Sequence, residues 1–106
     1  GHKNIIAPSI CNICDCHVFH QYTLRIIDAN RNGLMQHLLD KGIPCAIYYP
    51  IPLHSQKAYA DARYKEEDFP VTNQLVKEVI SLPMHTELDD EQIKFITDSI
   101  LEFLNK

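Results

Sequence analysis

The sequence predicts an α+β domain, an α/β two-layer sandwich in which a small three-stranded sheet carries helices on one face. Three observations predict it. Three short strand-like runs, 17–27, 45–49 and 80–82, alternate with three stretches of helical periodicity. Each helical stretch begins or ends on a recognisable cap or proline. The length, 106 residues, fits one domain with a core of its own.

Residues 3–16 show no period, and Pro8, Ser9 and Asn12 read as loop. Residues 1–16 are therefore expected to form an irregular connection, with Gly1 and His2 set aside. The domain proper is expected over 17–106. In the first strand, 17–27, Val18, Tyr22, Leu24 and Ile26 share one face at period two. Phe19, Gln21, Thr23 and Arg25 share the other. The first face should pack on helices. The second is mixed, as a solvated or interface-forming sheet face would be.

Asn30 suits a helix N-cap, and Leu34, Met35, Leu38 and Leu39 follow at helical spacing. Gly42 is placed to end that helix, with Lys41 at its negative end and Pro44 blocking continuation. The second strand, 45–49, leads into Tyr48-Tyr49-Pro50-Ile51-Pro52-Leu53-His54. Two prolines fix φ near −65° and push Tyr49 and Ile51 toward extended geometry. A stiff arm results, with two phenols at its base and an imidazole at its tip. Such an arm loses little entropy when its side chains engage a ligand.

Residues 55–60 suit one helical turn, and 63–68 are charged and expected outside. Pro70 fits the first position of a helix whose buried stripe would be Val71, Leu75, Val76 and Val79. A third strand, 80–82, closes at Pro83. Asp89 and Gln92 make a capping box ahead of a helix lined by Ile93, Ile96, Ile100 and Phe103 or Leu104.

Ten basic and fourteen acidic residues give a net charge of −4, which argues against nucleic acid as the main partner. No apolar run approaches a membrane span, and no signal peptide is evident, so a cytoplasmic protein with reduced thiols is expected. Cys11, Cys14, Cys16 and His17 tempt one toward zinc, but a second ligand pair a dozen or more residues on is missing. A cysteine-rich loop without metal is the favoured reading. His54 is the strongest chemistry-bearing residue, because a rigid arm carries it and imidazole both donates and accepts. His85 leaves a strand in a similar way. His37 falls on the polar side of its helix and is expected in solvent. No serine, cysteine or lysine stands in a recognisable nucleophile setting, and no glycine-rich phosphate loop exists. The chain by itself shows no complete active site, and no catalytic residue is assigned.

The segments 17–25 (HVFHQYTLR), 42–54 (GIPCAIYYPIPLH) and 81–88 (SLPMHTEL) resemble consecutive motifs of the DegT/StrS-type nucleotide-sugar aminotransferases. Gln56, Ala58-Tyr59 and Phe69-Pro70-Val71 fit as well. The resemblance covers the C-terminal small domain of these fold-type-I, pyridoxal-phosphate-dependent homodimers. It implies that the cofactor and its lysine belong to a large domain, so this chain alone should not hold the cofactor. It implies that Tyr48, Tyr49 and His54 line the sugar-nucleotide or amino-donor side, with Gln21 on the open sheet face a weaker candidate. Arg25 fits a structural salt bridge better than a ligand contact. The implied reaction moves an amino group from an amino acid, commonly glutamate, to a nucleotide-linked keto-sugar in polysaccharide or amino-sugar biosynthesis. The implied partners are the chain's own large domain, a second subunit and the nucleotide-sugar. Two alternatives stand beside it: the small domain of a relative that dehydrates the sugar, and a free-standing, zinc-binding interaction module.

Overall fold

The computed structural model describes residues 1–10 and 18–106. Its sheet has the order β1-β2-β3, with β1 at Ile5–Ile6, β2 at Tyr22–Ile26 and β3 at Val79–Leu82. Both pairings are antiparallel. Leu24 lies opposite Ile80 and Thr23 opposite Ser81, so register and alternation agree. Leu24, Ile26 and Ile80 point into the core, while the Thr23 and Ser81 hydroxyls meet at 2.7 Å on the other side.

Helix α1 spans Arg31–Asp40. Asn30 caps it, its Oδ1 accepting from Gly33 N at 2.9 Å. Leu34 and Leu38, one turn apart, are sealed against the sheet with Ile43, Ile80 and Ile100. The helix stops where Gly42 takes φ +76°. Gly42 N then donates to Leu39 O and Ile43 N to Leu38 O, both at 2.9 Å, which is the paired bond pattern of a Schellman stop. The stop also drops Ile43 into the core beside Leu38.

Helix α2 spans Pro70–Glu78 with proline in its first turn, and runs straight into β3. It contributes no fully buried residue, and Arg25 ties it to β2 through Glu78 at 2.7 Å. The Gln74 amide and then Arg25 hold the Glu78 carboxyl below its usual range. Helix α3 spans Asp90–Leu104. Its capping box is complete: Gln92 N donates to Asp89 Oδ1 at 2.8 Å, and Asp89 N to Gln92 Oε1 at 3.1 Å. Ile100 is buried and Ile96, Phe103 and Leu104 pack around it, whereas Ile93 lies half outside.

The fold class stands: three antiparallel strands and three helices, with α1 and α3 supplying the core layer. Several element readings need correction. Residues 45–49 are not a strand. Only Ala46 pairs, exchanging two hydrogen bonds with Ser81 across the free edge of β3. Pro44 has no N–H to donate, and the chain turns away at Tyr49, so the ladder cannot lengthen. The third strand is instead β1, inside the stretch expected to be irregular. Ile27 N donates to Asn4 O at 2.9 Å and Asn4 Nδ2 to Ile27 O at 2.7 Å, which pins β1 beside β2. Two residues of strand leave too little period to be read from sequence. His2, set aside above, accepts from Ile5 N and reaches Asn105 Oδ1 at 3.2 Å.

The first strand begins at Tyr22, and Val18 is 88% exposed. In the α2 stripe, Val71 is exposed and Val79 already belongs to β3. His37 is half-buried between α1 and α3, its Nε2 3.1 Å from Ser99 O and its ring 5.4 Å from Phe103. Cys11, Cys14, Cys16 and His17, the zinc candidates, lie outside the described residues. Among the described residues no helix is long and apolar enough to cross a membrane.

Candidate functional site

The proline arm is rigid but not straight. Tyr49, expected extended, has φ +58°. Pro50 bars it from the right-handed helical region, and the chain must reverse between the Ala46 bridge and α2. The left-handed region achieves that reversal at about 1–2 kcal/mol for a residue with a Cβ. The Tyr49 ring is left 81% exposed at the corner. Beyond it, a 3₁₀ turn at Leu53–Ser55 and a second at Lys57–Tyr59 carry the chain on. Gln56 Nε2 braces the arm by donating to Ile51 O at 3.2 Å.

The tip is fastened to the start of α2. The His54 ring stacks on Phe69 at 4.5 Å with 20° between planes, and Tyr64 tilts against Phe69 from beyond at 6.1 Å. His54 Nε2 lies 2.9 Å from Asn73 Oδ1, and Asn73 Nδ2 donates to Glu66 O at 2.7 Å. His54, Tyr59, Tyr64, Phe69 and Thr72 line one hollow of about 760 Å³. Asp61 on its rim is paired with Arg63, which holds that carboxyl below its usual range.

Tyr48 and Gln21 line a second, smaller cavity of about 250 Å³, with His20, Cys45, Ser81 and Met84. Burial raises the Cys45 thiol above its usual range, and its Sγ lies 3.7 Å from Met35 O, so it behaves as a packed thiol. The structure thus brings Tyr48 and Gln21 together and sets His54 in a different hollow, with Tyr49 exposed on the chain between. His85 lines neither; its Nδ1 accepts from Glu87 N at 3.2 Å. Asn73 and Tyr64 escaped the sequence reading. Asn73 left one faint signal, since asparagine is a poor residue for a helix interior.

This geometry can be set beside known proteins. Residues 4–101 match the DegT/DnrJ/EryC1/StrS aminotransferase family. The chain belongs to that family. Among its curated relatives, the "Pleiotropic regulatory protein" of Geobacillus stearothermophilus is 44% identical over 82% of this chain and 23% of its own length. The UDP-2-acetamido-2-deoxy-3-oxo-D-glucuronate aminotransferase of Pseudomonas aeruginosa is 43% identical over 74% of this chain and 21% of its own. The crystal structure of DesV from S. venezuelae superimposes with a TM-score of 0.85 and 29% identity, over 97% of this chain and 27% of that one. The fold is that of the small domain in these aminotransferase structures. The chain spans about a quarter of the length of the relatives it matches.

The family implies pyridoxal phosphate. The residues present do not fit it by themselves. Of the seven lysines, none lines either hollow described above, and Lys41, Lys94 and Lys106 are paired with Glu102, Asp98 and Glu102.

Proposed function

We infer that the chain is the C-terminal small domain of a pyridoxal-phosphate-dependent aminotransferase acting on a nucleotide-linked keto-sugar. One observation carries the reading: the family match runs through residues 4–101, while the chain accounts for only about a quarter of each relative. Relatives that span the UDP and dTDP sugars support the substrate class. The amino donor is an amino acid, glutamate by preference, and the pathway makes amino-sugars or polysaccharide in the cytoplasm.

In this reading the cofactor sits on the large domain and supplies the carbanion chemistry. The small domain contributes geometry. Tyr48 and Gln21 from one hollow, Tyr49 at the corner and His54 from the other face the substrate side and orient the sugar. A row of exposed apolar and aromatic groups, among them Tyr48, Tyr49, Ile51, Leu53 and Tyr59, supports a covering partner. That partner is the large domain of the same chain, or of a second subunit in a homodimer.

The gene upstream of Gly1 tests the reading. A cofactor-binding domain with its lysine is expected. A domain lacking the lysine favours the sugar-dehydrating relative, and no such domain favours a free-standing module.

A further inference from the structure

The hydrogen bonds around His54 determine which of its ring nitrogens carries the proton. Glu66 O is a carbonyl and can only accept, so the Asn73 atom 2.7 Å from it must be the amide Nδ2. The other side-chain atom of Asn73 is then the carbonyl Oδ1, which also only accepts. It lies 2.9 Å from His54 Nε2, so Nε2 must donate. In the neutral ring the proton is on Nε2, and Nδ1 carries the lone pair. Among the described residues Nδ1 has no hydrogen-bond partner. Phe69, stacked at 4.5 Å, limits rotation of the ring out of this arrangement.

His85 makes the contrast plain. There Nδ1 accepts from Glu87 N, so the neutral ring again carries its proton on Nε2. The unused atom of His85 is a donor, whereas that of His54 is an acceptor. The two histidines are not interchangeable, although the sequence presents them alike.

We propose that Asn73 is a positioning residue that holds His54 in the Nε2–H tautomer, so that the neutral ring offers Nδ1 as an acceptor to a donor group of the substrate, a hydroxyl or an ammonium. The ligand half of this rests on the reading of His54 as a substrate-side residue; the tautomer half does not. An acceptor at this point discriminates against a phosphate or carboxylate oxygen, which would leave two lone pairs facing each other.

Protein labelled with ¹⁵N in its histidine rings tests it by NMR, without substrate. The expected wild-type result is a one-bond N–H correlation from His54 Nε2, slowed in exchange by the Asn73 bond. Asn73→Leu should lose that signal to solvent exchange. Asn73→Asp, which keeps an acceptor at the same place, should retain it. A proton found on Nδ1, or an Nε2–H signal that survives Asn73→Leu unchanged, overturns the proposal. The wild-type spectrum decides the tautomer even where a variant fails to fold. Because no sugar is present, a wrong tautomer is told apart from a wrong substrate class, which the upstream gene decides separately.

Discussion

Leu38→Ala is expected to lower the stability of the chain by about 2–5 kcal/mol, the range for truncating a fully enclosed leucine. Leu38 is 0% exposed and sits where three elements meet. It packs in one cluster with Leu34 of α1, Ile80 of β3 and Ile100 of α3. It also precedes the Schellman stop, where its carbonyl accepts from Ile43 N, so the side chain and backbone of one residue hold the same corner. Leu34, Ile80 and Ile100 belong to regular elements and cannot collapse far into a cavity. Urea unfolding gives the loss directly, and a Tm lower by about 10 °C or more should accompany it in a domain of this size. A loss under about 1 kcal/mol would mean that the core lies elsewhere.

Phe69→Ala is expected to do a different kind of damage. Phe69 is half-buried, so its burial is worth about 1–1.5 kcal/mol, and its contacts with His54 and Tyr64 add about 0.5–1.5 kcal/mol. The sum, about 2 kcal/mol, is local. None of the partners belongs to the core cluster around Leu38. Hydrogen exchange should therefore quicken between residues 53 and 69 while the core amides stay protected. In the complete enzyme the His54 ring would lose its platform, and the KM for sugar substrate should rise by about tenfold, for one oriented hydrogen bond lost. Uniform loss of protection across the chain would show that the arm is not a separable unit.

The parts of the fold with local chemistry were legible in the sequence. Asn30, Pro70, and Asp89 with Gln92 mark helix starts: the two caps bond a backbone group three residues away, and Pro70 acts through its own fixed φ and missing N–H. Gly42 marks a stop because only the residue after the helix needs positive φ. The apolar alternation at Leu24 and Ile26 gave the core face of β2. What failed was set by distant partners. Residues 45–49 are apolar enough for a strand but meet only one β3 residue, and Ile5–Ile6 has no period yet pairs with β2. His37 sits on a nominally polar helix side that α3 covers.

The site was partly legible for the same reason. Two prolines announce a stiff arm, but a proline rule gives only the region that the preceding residue avoids. Tyr49 took the left-handed alternative, which the bridge at Ala46 and the docking of His54 on α2 together demand. Asn73, nineteen residues from His54, has no spacing that would link the two.

The most direct measurement is amino transfer by the product of the complete gene. Supplied with L-glutamate carrying ¹⁵N and a UDP- or dTDP-linked keto-sugar, the protein should place the label on the sugar carbon that bore the oxygen. Mass spectrometry would then find a nucleotide-linked amino-sugar heavier by one neutron. A sugar that loses water with no label gained, or a keto-sugar returned unchanged across both nucleotides, would contradict the account.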